Sequence, residues 1–452
     1  MIQETLSAAG LDGKAIRPGD AAYDEARSVW NGTVNKRPAL IVRCRNTDDV
    51  VAAVKLARTE GLAVSVRGGG HHVAGSAVND GGLVIDLSEM REVTVDAAAK
   101  TARAQGGALL VDVDNATLAH GLAVPMGLFS ETGIAGLTLA GGYGWQSRLR
   151  GLTCDNLIAA EIVTADGSLL KASASENPDL FWALCGGGQN LGVVTSFEYR
   201  AHPIPDELFF LFAAYPMAQA QDVLTRVREY TRTAPREAGI IAVLWTFPGS
   251  EPYPEEIWDQ QFVGIAGTYI GDADEGERVL QPLRELGTPM FDISGPMPFG
   301  DIQHFFDEDY PNGRRYYWRS TYLKELSDDA LVKVVDLGSR RASPLTSLDI
   351  WIGADSAVAD VAIDDTPIAH RHAPFMVGIE SNWDDPADDA ANIGWAREAF
   401  ATLAPHSTGG SYLNFEDLTD KDRVAAAYGP NYERLMQIKR QYDPDNLFGS
   451  RR

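Results

Sequence analysis

The segment Arg67-Gly68-Gly69-Gly70-His71-His72 combines residue types suited to anion binding with a potentially reactive imidazole. Consecutive glycines can present consecutive backbone N–H groups, which together form a concave site for an anion such as a pyrophosphate. His71 stands where the chain leaves this loop, so its ring is expected beside the bound group, and Arg67 would add positive charge. The alternative is a solvated Arg and two surface histidines on a turn. A metal site is not predicted, because neighbouring side chains of an extended chain point to opposite sides and no third ligand is evident.

Three further motifs carry glycines or turn residues. Thr132–Gly144 is dense in glycine and predicts a backbone lying flat against a ring rather than a core helix. Gly151–Asn156 ends in Asp155-Asn156, which can cap a turn or hold polar groups of a ligand, and alone the turn is favoured. Trp182–Thr195 places glycines between a helix and a strand and is a second candidate anion site. No G-x-G-x-x-G pattern occurs in the sequence, which disfavours a Rossmann-type dehydrogenase.

Short strand and helix patterns alternate over the first 205 residues and would position these loops. Thr47–Glu60 has a helical period with Thr47 as its predicted N-cap. Leu62–Arg67 then predicts a strand that runs into the first glycine loop. Such βα units, followed by a small β-meander, predict an α/β or α+β domain.

A change of composition near residues 202–205 predicts a domain boundary. Beyond it, longer aromatic strands alternate with amphipathic helices, which predicts an antiparallel sheet covered on one face by helices. Tyr412–Phe415 is predicted to return as a strand, and Arg434–Asn446 as a final helix.

Composition excludes several classes of function. The chain has 452 residues, with 39 Lys+Arg against 63 Asp+Glu and a formal charge of −24, so binding to nucleic acid or to an anionic membrane surface is not expected. Cys44, Cys154 and Cys185 are far apart in sequence, which indicates neither a zinc site nor a disulfide framework. The sequence has no signal-peptide pattern and no apolar run long enough for a membrane span, so a cytoplasmic protein is expected. The oligomeric state is left open.

The sequence resembles FAD-linked oxidases of the vanillyl-alcohol-oxidase/PCMH superfamily. The resemblance lies in the four motifs and their order, together with Tyr412-Leu-Asn-Phe415 and Tyr442-Asp-Pro-Asp-Asn446. The similarity is strongest to the berberine-bridge-enzyme-like branch, with its bacterial 6-hydroxy-D-nicotine oxidase and favorskiase types. The resemblance implies an α+β fold with a PCMH-type FAD-binding domain of two α/β subdomains over residues 1–205. A substrate-binding domain would follow over residues 206–410, and residues 411–452 would complete the FAD domain.

The resemblance also implies a covalent FAD. His71 matches the histidine that is bonded to the flavin 8α-methyl group. Relatives with a second bond attach a cysteine just before Gly133, where this chain has Phe129 or Ser130, so attachment through His71 only is expected. The remaining positions that match FAD contacts are Arg67, Gly68, Gly69, Gly70, Thr132, Gly133, Gly136, Gly141, Gly142, Gly144, Asn156, Gly192, Val193, Val194 and Asn414.

Departures from the family pattern concern the catalytic base. Phe415 stands where many relatives carry a second tyrosine that often serves as base. Tyr412 is therefore the first candidate base. Asp349 on the predicted strand Leu348–Gly353 is the second, because a carboxylate matches this position in the favorskiase type. The alternative for Asp349 is a solvated strand residue.

Three functions are compatible with this pattern. The first is an oxidase that transfers a hydride from a small alcohol or amine to FAD, with O₂ as the second substrate and H₂O₂ as product. The second is a favorskiase-like oxygenase that uses an oxygenated flavin, although Glu131 stands where that type has a histidine. The third is a non-catalytic flavin carrier, suggested by Phe415 and by the absence of the family's Asn-rich tail.

Overall fold

Strands in the first half of the chain form two main sheets of different topology. The computed structural model describes residues 6–7, 10–250, 253–418 and 420–449. The strands of this half are β1 (Ala15–Ile16), β2 (Leu40–Arg43), β3 (Val64–Arg67), β4 (Leu83–Asp86), β5 (Val93–Asp96), β6 (Thr101–Gln105), β7 (Leu122–Ala123), β8 (Leu157–Val163), β9 (Leu169–Ser173), β10 (Val193–Arg200) and β11 (His202–Pro203). The first sheet has the order β1-β2-β4-β3, with β2, β4 and β3 parallel. The second is antiparallel with the order β5-β6-β10-β8-β9, and β7 pairs separately with β11.

A third, larger sheet follows. Its strands are β12 (Glu207–Pro216), β13 (Ala238–Thr246), β14 (Gln261–Tyr269), β15 (Phe291–Asp292), β16 (Gly295–Pro298), β17 (Arg315–Leu323), β18 (Ser347–Ile352) and β19 (Phe375–Trp383). The sheet is antiparallel, with the order β15-β12-β14-β13-β18-β19-β17 and with β16 paired to β12.

Helices cover these sheets and connect their strands. They are α1 (Tyr23–Ala26), α2 (Thr47–Glu60), α3 (Leu110–Leu118), α4 (Ile134–Leu139), α5 (Ser147–Arg150), α6 (Pro178–Leu184), α7 (Ala220–Tyr230), α8 (Ala273–Arg284), α9 (Phe299–His304), α10 (Asp328–Ser339), α11 (Ala357–Asp360), α12 (Asp389–Leu403), α13 (Lys421–Tyr428) and α14 (Tyr432–Tyr442). None of the helices in the described ranges is long and apolar enough to cross a membrane. The helices and the largely antiparallel sheets together confirm the predicted α+β fold.

The third sheet has two chemically different faces. Leu348, Ile350 and Ile352 of β18 lie in an aliphatic core with residues of α7, α8, α10 and α12. Because side chains alternate along a strand, Asp349 and Trp351 lie on the opposite face. That face contributes to an aromatic core shared with the first half of the chain. The sheet is therefore covered by helices on one side and packs on the glycine motifs on the other.

Residues of the C-terminal segment return to the first half of the chain. Leu413, Tyr428 and Leu435 belong to the core around the second sheet, and the Val64 N–H donates to Leu447 O at 3.0 Å. Val358 also belongs to that core, although it precedes residue 411. The division at residues 205 and 410 stays a prediction.

Three sequence predictions of local structure are wrong. The N-cap of α2 is Asn46, not Thr47, since the Asn46 side chain accepts a hydrogen bond from Asp49 N. Tyr412–Phe415 is not a strand, because Leu413–Phe415 forms a turn of 3-10 helix. The Thr132–Gly144 segment does contain a helix, α4. Its apolar side chains are buried in the core, which outweighs the low helix propensity of Gly136.

A buried ion pair joins the loop after β18 to the Gly151–Asn156 motif. The Arg371 guanidinium donates to both Asp155 carboxylate oxygens, at 2.6 and 2.9 Å, and the Arg371 side chain has no solvent exposure. Removing one partner of such a pair leaves an uncompensated buried charge, which is strongly destabilising.

We therefore expect Arg371→Met to lower the free energy of unfolding by about 3–5 kcal/mol, measured by urea denaturation. The control is Arg232→Met, whose partner Glu229 is half exposed, and it should cost no more than about 1 kcal/mol. Equal effects of the two substitutions would contradict this account of the pair.

Candidate active site

The first glycine loop has the features of an anion site. Gly68–Gly70 directly follows β3, and Gly70 has a φ of 69°, which the left-handed turn there requires. No residue in the described part of the chain accepts a hydrogen bond from the N–H groups of Gly68, Gly69 or Gly70. Arg67 is held in place, because its Nη1 donates to Ala26 O at 2.6 Å. The loop thus offers backbone donors for a phosphate group.

Two glycine motifs fit each other by direct backbone contact. A Cβ on Gly69 would lie 2.5 Å from Gly133 N, and a Cβ on Gly133 would lie 2.3 Å from Gly69 N. A Cβ on Gly136 of α4 would instead meet nothing within 4 Å. Gly69 and Gly133 therefore have to be glycine for packing. Gly136 instead leaves open space of the kind that a flat cofactor ring would fill.

We expect Gly69→Ala to lower the free energy of unfolding by about 1–3 kcal/mol, because backbone atoms rather than a flexible side chain block the new Cβ. The amount of FAD bound per chain, measured by visible absorbance, should fall together with the stability. The matched control is Gly394→Ala on α12, where a Cβ meets nothing within 4 Å. It should be neutral or stabilise by about 0.5–1 kcal/mol. Unchanged stability and FAD content in Gly69→Ala would contradict this packing role.

The two adjacent histidines have different surroundings. His72 Nδ1 accepts from Ala74 N at 3.0 Å, and its Nε2 lies 3.0 Å from Leu413 O and so donates to it. Both ring nitrogens of His72 are therefore occupied in tying the glycine loop to the C-terminal segment. The His71 ring stacks on Trp30 with centroids 4.3 Å apart. Burial lowers the pKa of His71 to about 4, so its imidazole is neutral at neutral pH. A neutral ring nitrogen is nucleophilic, and of the two histidines His71 is the one suited to a covalent bond.

Tyr412 lies against the second glycine motif. Its hydroxyl oxygen accepts from Tyr143 N at 3.2 Å and from Asn414 Nδ2 at 2.9 Å. The rings of Tyr143 and Tyr412 meet edge to face, with centroids 5.4 Å apart. Burial raises the pKa of Tyr412 to about 12, so the phenol is protonated at neutral pH. The two donors to its oxygen favour the ionised form, but burial outweighs them, so the resting phenol is a hydrogen-bond donor.

Several predicted FAD contacts have structural roles. The Asn156 amide donates to Arg150 O and Leu152 O, both at 2.9 Å, and its Oδ1 lies 2.7 Å from His202 Nε2. Gly192 lies against the second sheet, where a Cβ would be 2.5 Å from Val163 O. Val193 and Val194 open β10, paired with Val163 and Ile162. Any contact of Asn156 with a cofactor would have to use its backbone.

The second anion site predicted in Trp182–Thr195 is wrong. The N–H groups of Gly186, Gly187 and Gly188 donate to Leu184 O, Ala183 O and Leu139 O, at 2.8, 2.9 and 3.1 Å. These donors close the end of α6 and fasten the loop to α4, so they are not free for a ligand.

Asp349 is buried and has a partner that the sequence analysis missed. Asp349 is 8% exposed and Glu380 is 1% exposed, so the solvated alternative for Asp349 is wrong. Ser347 pairs with Glu380 and Asp349 with Gly378 across β18 and β19, which places both carboxyl groups on one face in adjacent rows. The two carboxyl groups are close enough to shift each other's pKa, and Asp349 Oδ1 and Glu380 Oε2 have no hydrogen-bond partner among the described residues. The one hint in the sequence is that Glu380 is the single charged residue of Phe375–Trp383.

Two buried carboxylates this close repel each other, so one of them is expected to hold a proton. Burial raises the pKa of both groups, and that of Glu380 lies well above its ordinary value. Glu380 is therefore the group expected to hold the proton, with Asp349 as the ionised partner. The Tyr310 hydroxyl lies 3.4 Å from Ser347 Oγ, on the strand that carries Asp349.

This carboxyl pair lies beside Phe415. A Cβ on Gly378 would meet Glu380 Oε1 at 3.3 Å and Phe415 Cε2 at 3.4 Å, so Phe415 and Glu380 are neighbours. The Phe415 ring in turn lies 5.1 Å from that of Tyr412. A titratable pair thus stands next to a residue that cannot take a proton.

Comparison with known proteins identifies the family. The model of an FAD binding domain matches residues 38–173, and the model described as berberine and berberine like matches residues 411–452. The FAD-linked oxidoreductase YgaK of Bacillus subtilis is 31% identical over 446 residues, covering 97% of this chain and 96% of the relative. The chain belongs to the berberine-bridge-enzyme-like FAD-linked oxidoreductases.

Solved structures of this family have the same fold. The crystal structure of 6-hydroxy-D-nicotine oxidase from Arthrobacter nicotinovorans has a TM-score of 0.87 and 28% identity, covering 97% of each chain. Glucooligosaccharide oxidase from Acremonium strictum has a TM-score of 0.87 and 26% identity, covering 99% of this chain and 98% of the relative. The flavin of that oxidase is a 6-S-cysteinyl, 8α-N1-histidyl FAD. Both of these relatives are oxidases, and this chain is an FAD-linked oxidoreductase of the same family.

Proposed function

We propose that this chain is an oxidase that takes a hydride from a small alcohol or amine, passes it to covalently bound FAD and returns the electrons to O₂ as H₂O₂. The observation that carries the proposal is the buried Asp349–Glu380 pair beside Phe415. It supplies a proton acceptor next to Tyr412 in a chain without the second tyrosine. The names of the oxidase relatives support the reaction class.

FAD would be held by backbone more than by charge. The free N–H groups of Gly68–Gly70 suit its phosphates, and the open face at Gly136 suits its ring. His71 would carry the covalent bond. Where the relative has a cysteinyl bond, the Ser130 hydroxyl donates to Asp307 Oδ2 at 2.6 Å and Phe129 offers no nucleophile, which supports attachment through His71 only.

When bound, FAD supplies the two-electron acceptor for the hydride. Asp349 takes the proton from the substrate O–H or N–H, and Glu380 is its protonated partner. Tyr412, whose oxygen accepts two hydrogen bonds, donates towards the substrate and fixes its position. The aromatic core around Trp318, Trp351 and Phe415 excludes water from this region.

The test is a panel of alcohols and amines read by peroxide release. We expect at least one compound to give one H₂O₂ per molecule oxidised, with the resting spectrum of an oxidised flavin. Substoichiometric peroxide, together with oxygen incorporated into the product, would instead support the favorskiase-like oxygenase. The cytoplasmic location and the use of O₂ stay predictions, and the oligomeric state stays open.

A further inference from the structure

We propose that a small cavity beside Arg148 binds a monatomic anion, chloride or another halide, at the seam between the first half of the chain and the large sheet. Its walls come from the segment 143–148, the start of β13, and the end of β18 with the loop that follows. His71, Asp349 and Tyr412 are not among its lining residues, so this Arg148 cavity is distinct from the site proposed for FAD and substrate.

The cavity has the size of a single small species. Its accessible volume is about 20 Å³, and one water-sized species needs about 10–15 Å³. A phosphate group or an organic substrate is too large for this space. A chloride ion is only slightly larger than a water molecule, so the occupant is either water or a monatomic ion.

The charge of the cavity favours an anion. Arg148 is 3% exposed, and its guanidinium donates to backbone carbonyls rather than to carboxylates. Asp355, the acidic residue whose charge acts on it most, pairs instead with Arg236 at 2.9 Å. No Asp or Glu stands among the described residues that line the cavity. An uncompensated buried charge is costly, and an anion beside Arg148 would compensate it.

One N–H group of Arg148 is left without an acceptor. Its two terminal nitrogens donate to four carbonyl oxygens at 2.7 to 3.3 Å, those of Ala234, Pro235, Ala238 and Ala354. These bonds hold the start of β13 and the loop after β18 against α5. The Nε atom of Arg148 is buried and has no hydrogen-bond partner among the described residues. The guanidinium is thus fixed in place with a donor to spare.

Two tryptophans on the walls are in the same state. Trp145 is 2% exposed and Trp351 is 8% exposed, and the indole Nε1 of each is buried without a partner in the described part of the chain. Ser147 Oγ accepts from Gly144 N at 2.9 Å, which leaves the hydroxyl proton for another acceptor. Each unmade hydrogen bond of a buried donor costs free energy.

This set of donors suits a halide better than water. A water molecule accepts about two hydrogen bonds and must place two protons of its own, whereas the unpaired groups on these walls are all donors. A halide accepts from several donors at once and donates to none. Because Trp145 and Arg148 belong to the first half of the chain and Trp351 to the sheet, the ion would also join the two.

The first experiment unfolds the holoenzyme by heat in sodium chloride and in sodium gluconate at equal ionic strength. Gluconate is too large for the cavity and serves as the reference. We expect the unfolding midpoint to rise with chloride concentration beyond the gluconate value, because a ligand that binds only the folded state stabilises it by mass action. A crystal soaked in sodium bromide should show an anomalous peak within hydrogen-bond reach of Arg148 Nε and Trp145 Nε1.

Two matched variants locate the effect. Trp145→Phe removes one donor and keeps an aromatic ring, so the chloride affinity derived from the midpoints should fall about ten-fold, as expected for one lost hydrogen bond to a charged group. The control is Trp395→Phe on α12. The Nε1 of Trp395 is also buried and unpaired among the described residues, but it lies in the aliphatic core on the other face of the sheet. Its chloride response should equal that of the wild type.

Equal midpoints in chloride and gluconate, a bromide-soaked crystal without a peak in the cavity, or equal chloride responses of the two variants would overturn the inference. Water would then be the occupant. Flavin absorbance of each variant shows that it has folded. None of these measurements depends on peroxide release, so failure of the proposed oxidase function would leave the anion site standing.

Discussion

Asp349→Asn should lower kcat/KM by about 10²- to 10⁴-fold, the range that loss of a positioned general base produces. In the proposed mechanism Asp349 is the proton acceptor of the buried carboxyl pair beside Phe415, and an amide of the same size cannot accept the substrate proton. Steady-state peroxide assays on the best substrate of the panel measure the effect. A loss of less than about five-fold would remove Asp349 from the mechanism, since general-base catalysis contributes far more than this.

The pH profile separates Asp349 from Glu380. Because burial raises the pKa of Asp349, its carboxylate is protonated as the pH falls through a value well above that of an ordinary aspartate. Activity should therefore fall on the acid side with that pKa. Glu380→Gln replaces one hydrogen-bond donor with another, so we expect a loss of less than about ten-fold with the acid limb retained. If the fall in activity at low pH disappeared in Glu380→Gln but persisted in Asp349→Asn, Glu380 rather than Asp349 would be the base.

His71→Ala should abolish covalent flavin and lower kcat at least about ten-fold, equivalent to about 1.4 kcal/mol in the barrier. The bond to an imidazole withdraws electron density from the flavin and makes it a stronger oxidant, so its loss weakens the hydride acceptor. After acid precipitation and denaturing electrophoresis, the wild-type band should fluoresce and the His71→Ala band should be dark.

His72→Gln is the control for this experiment. Its ring bonds to Ala74 N and Leu413 O are structural, so the variant should lose stability but keep a fluorescent band. A fluorescent His71→Ala band, or a dark wild-type band, would contradict attachment through His71.

The pattern of residues within single segments predicted much of the fold, because many helices and strands depend mainly on their own sequence. Thr47–Glu60 is a helix over its predicted bounds, and the strand predicted over Leu62–Arg67 runs from Val64 to Arg67. The errors arose where tertiary structure outweighs propensity. Helix α4 forms despite Gly136, because burial of Ile134, Leu137 and Leu139 outweighs the cost of glycine.

The candidate site was only partly accessible from sequence. The glycine loop and His71 are contiguous, so their chemistry can be inferred from adjacent letters. Glu380 joins Asp349 only through the pairing of β18 with β19, and no spacing rule connects positions so distant in the chain. Likewise, the glycines of Trp182–Thr195 resemble those of Gly68–Gly70 in sequence. Only the hydrogen bonds of the folded chain distinguish occupied donors from free ones.

Tyr412 illustrates the same limit. Its position beside the glycine motif follows from the family pattern, but its protonation state depends on burial and on two donors, Tyr143 N and Asn414 Nδ2. The two donors favour the ionised phenol and burial disfavours it more strongly, so the outcome depends on the folded structure.

The most direct test of the oxidase assignment needs no substrate. The bound flavin is reduced anaerobically with light and mixed with air-saturated buffer, and its spectrum and the released peroxide are followed. We predict rapid reoxidation in a single phase with one H₂O₂ per flavin. A flavin that stays reduced for minutes in air, or that reoxidises with much less than one H₂O₂, would contradict the assignment.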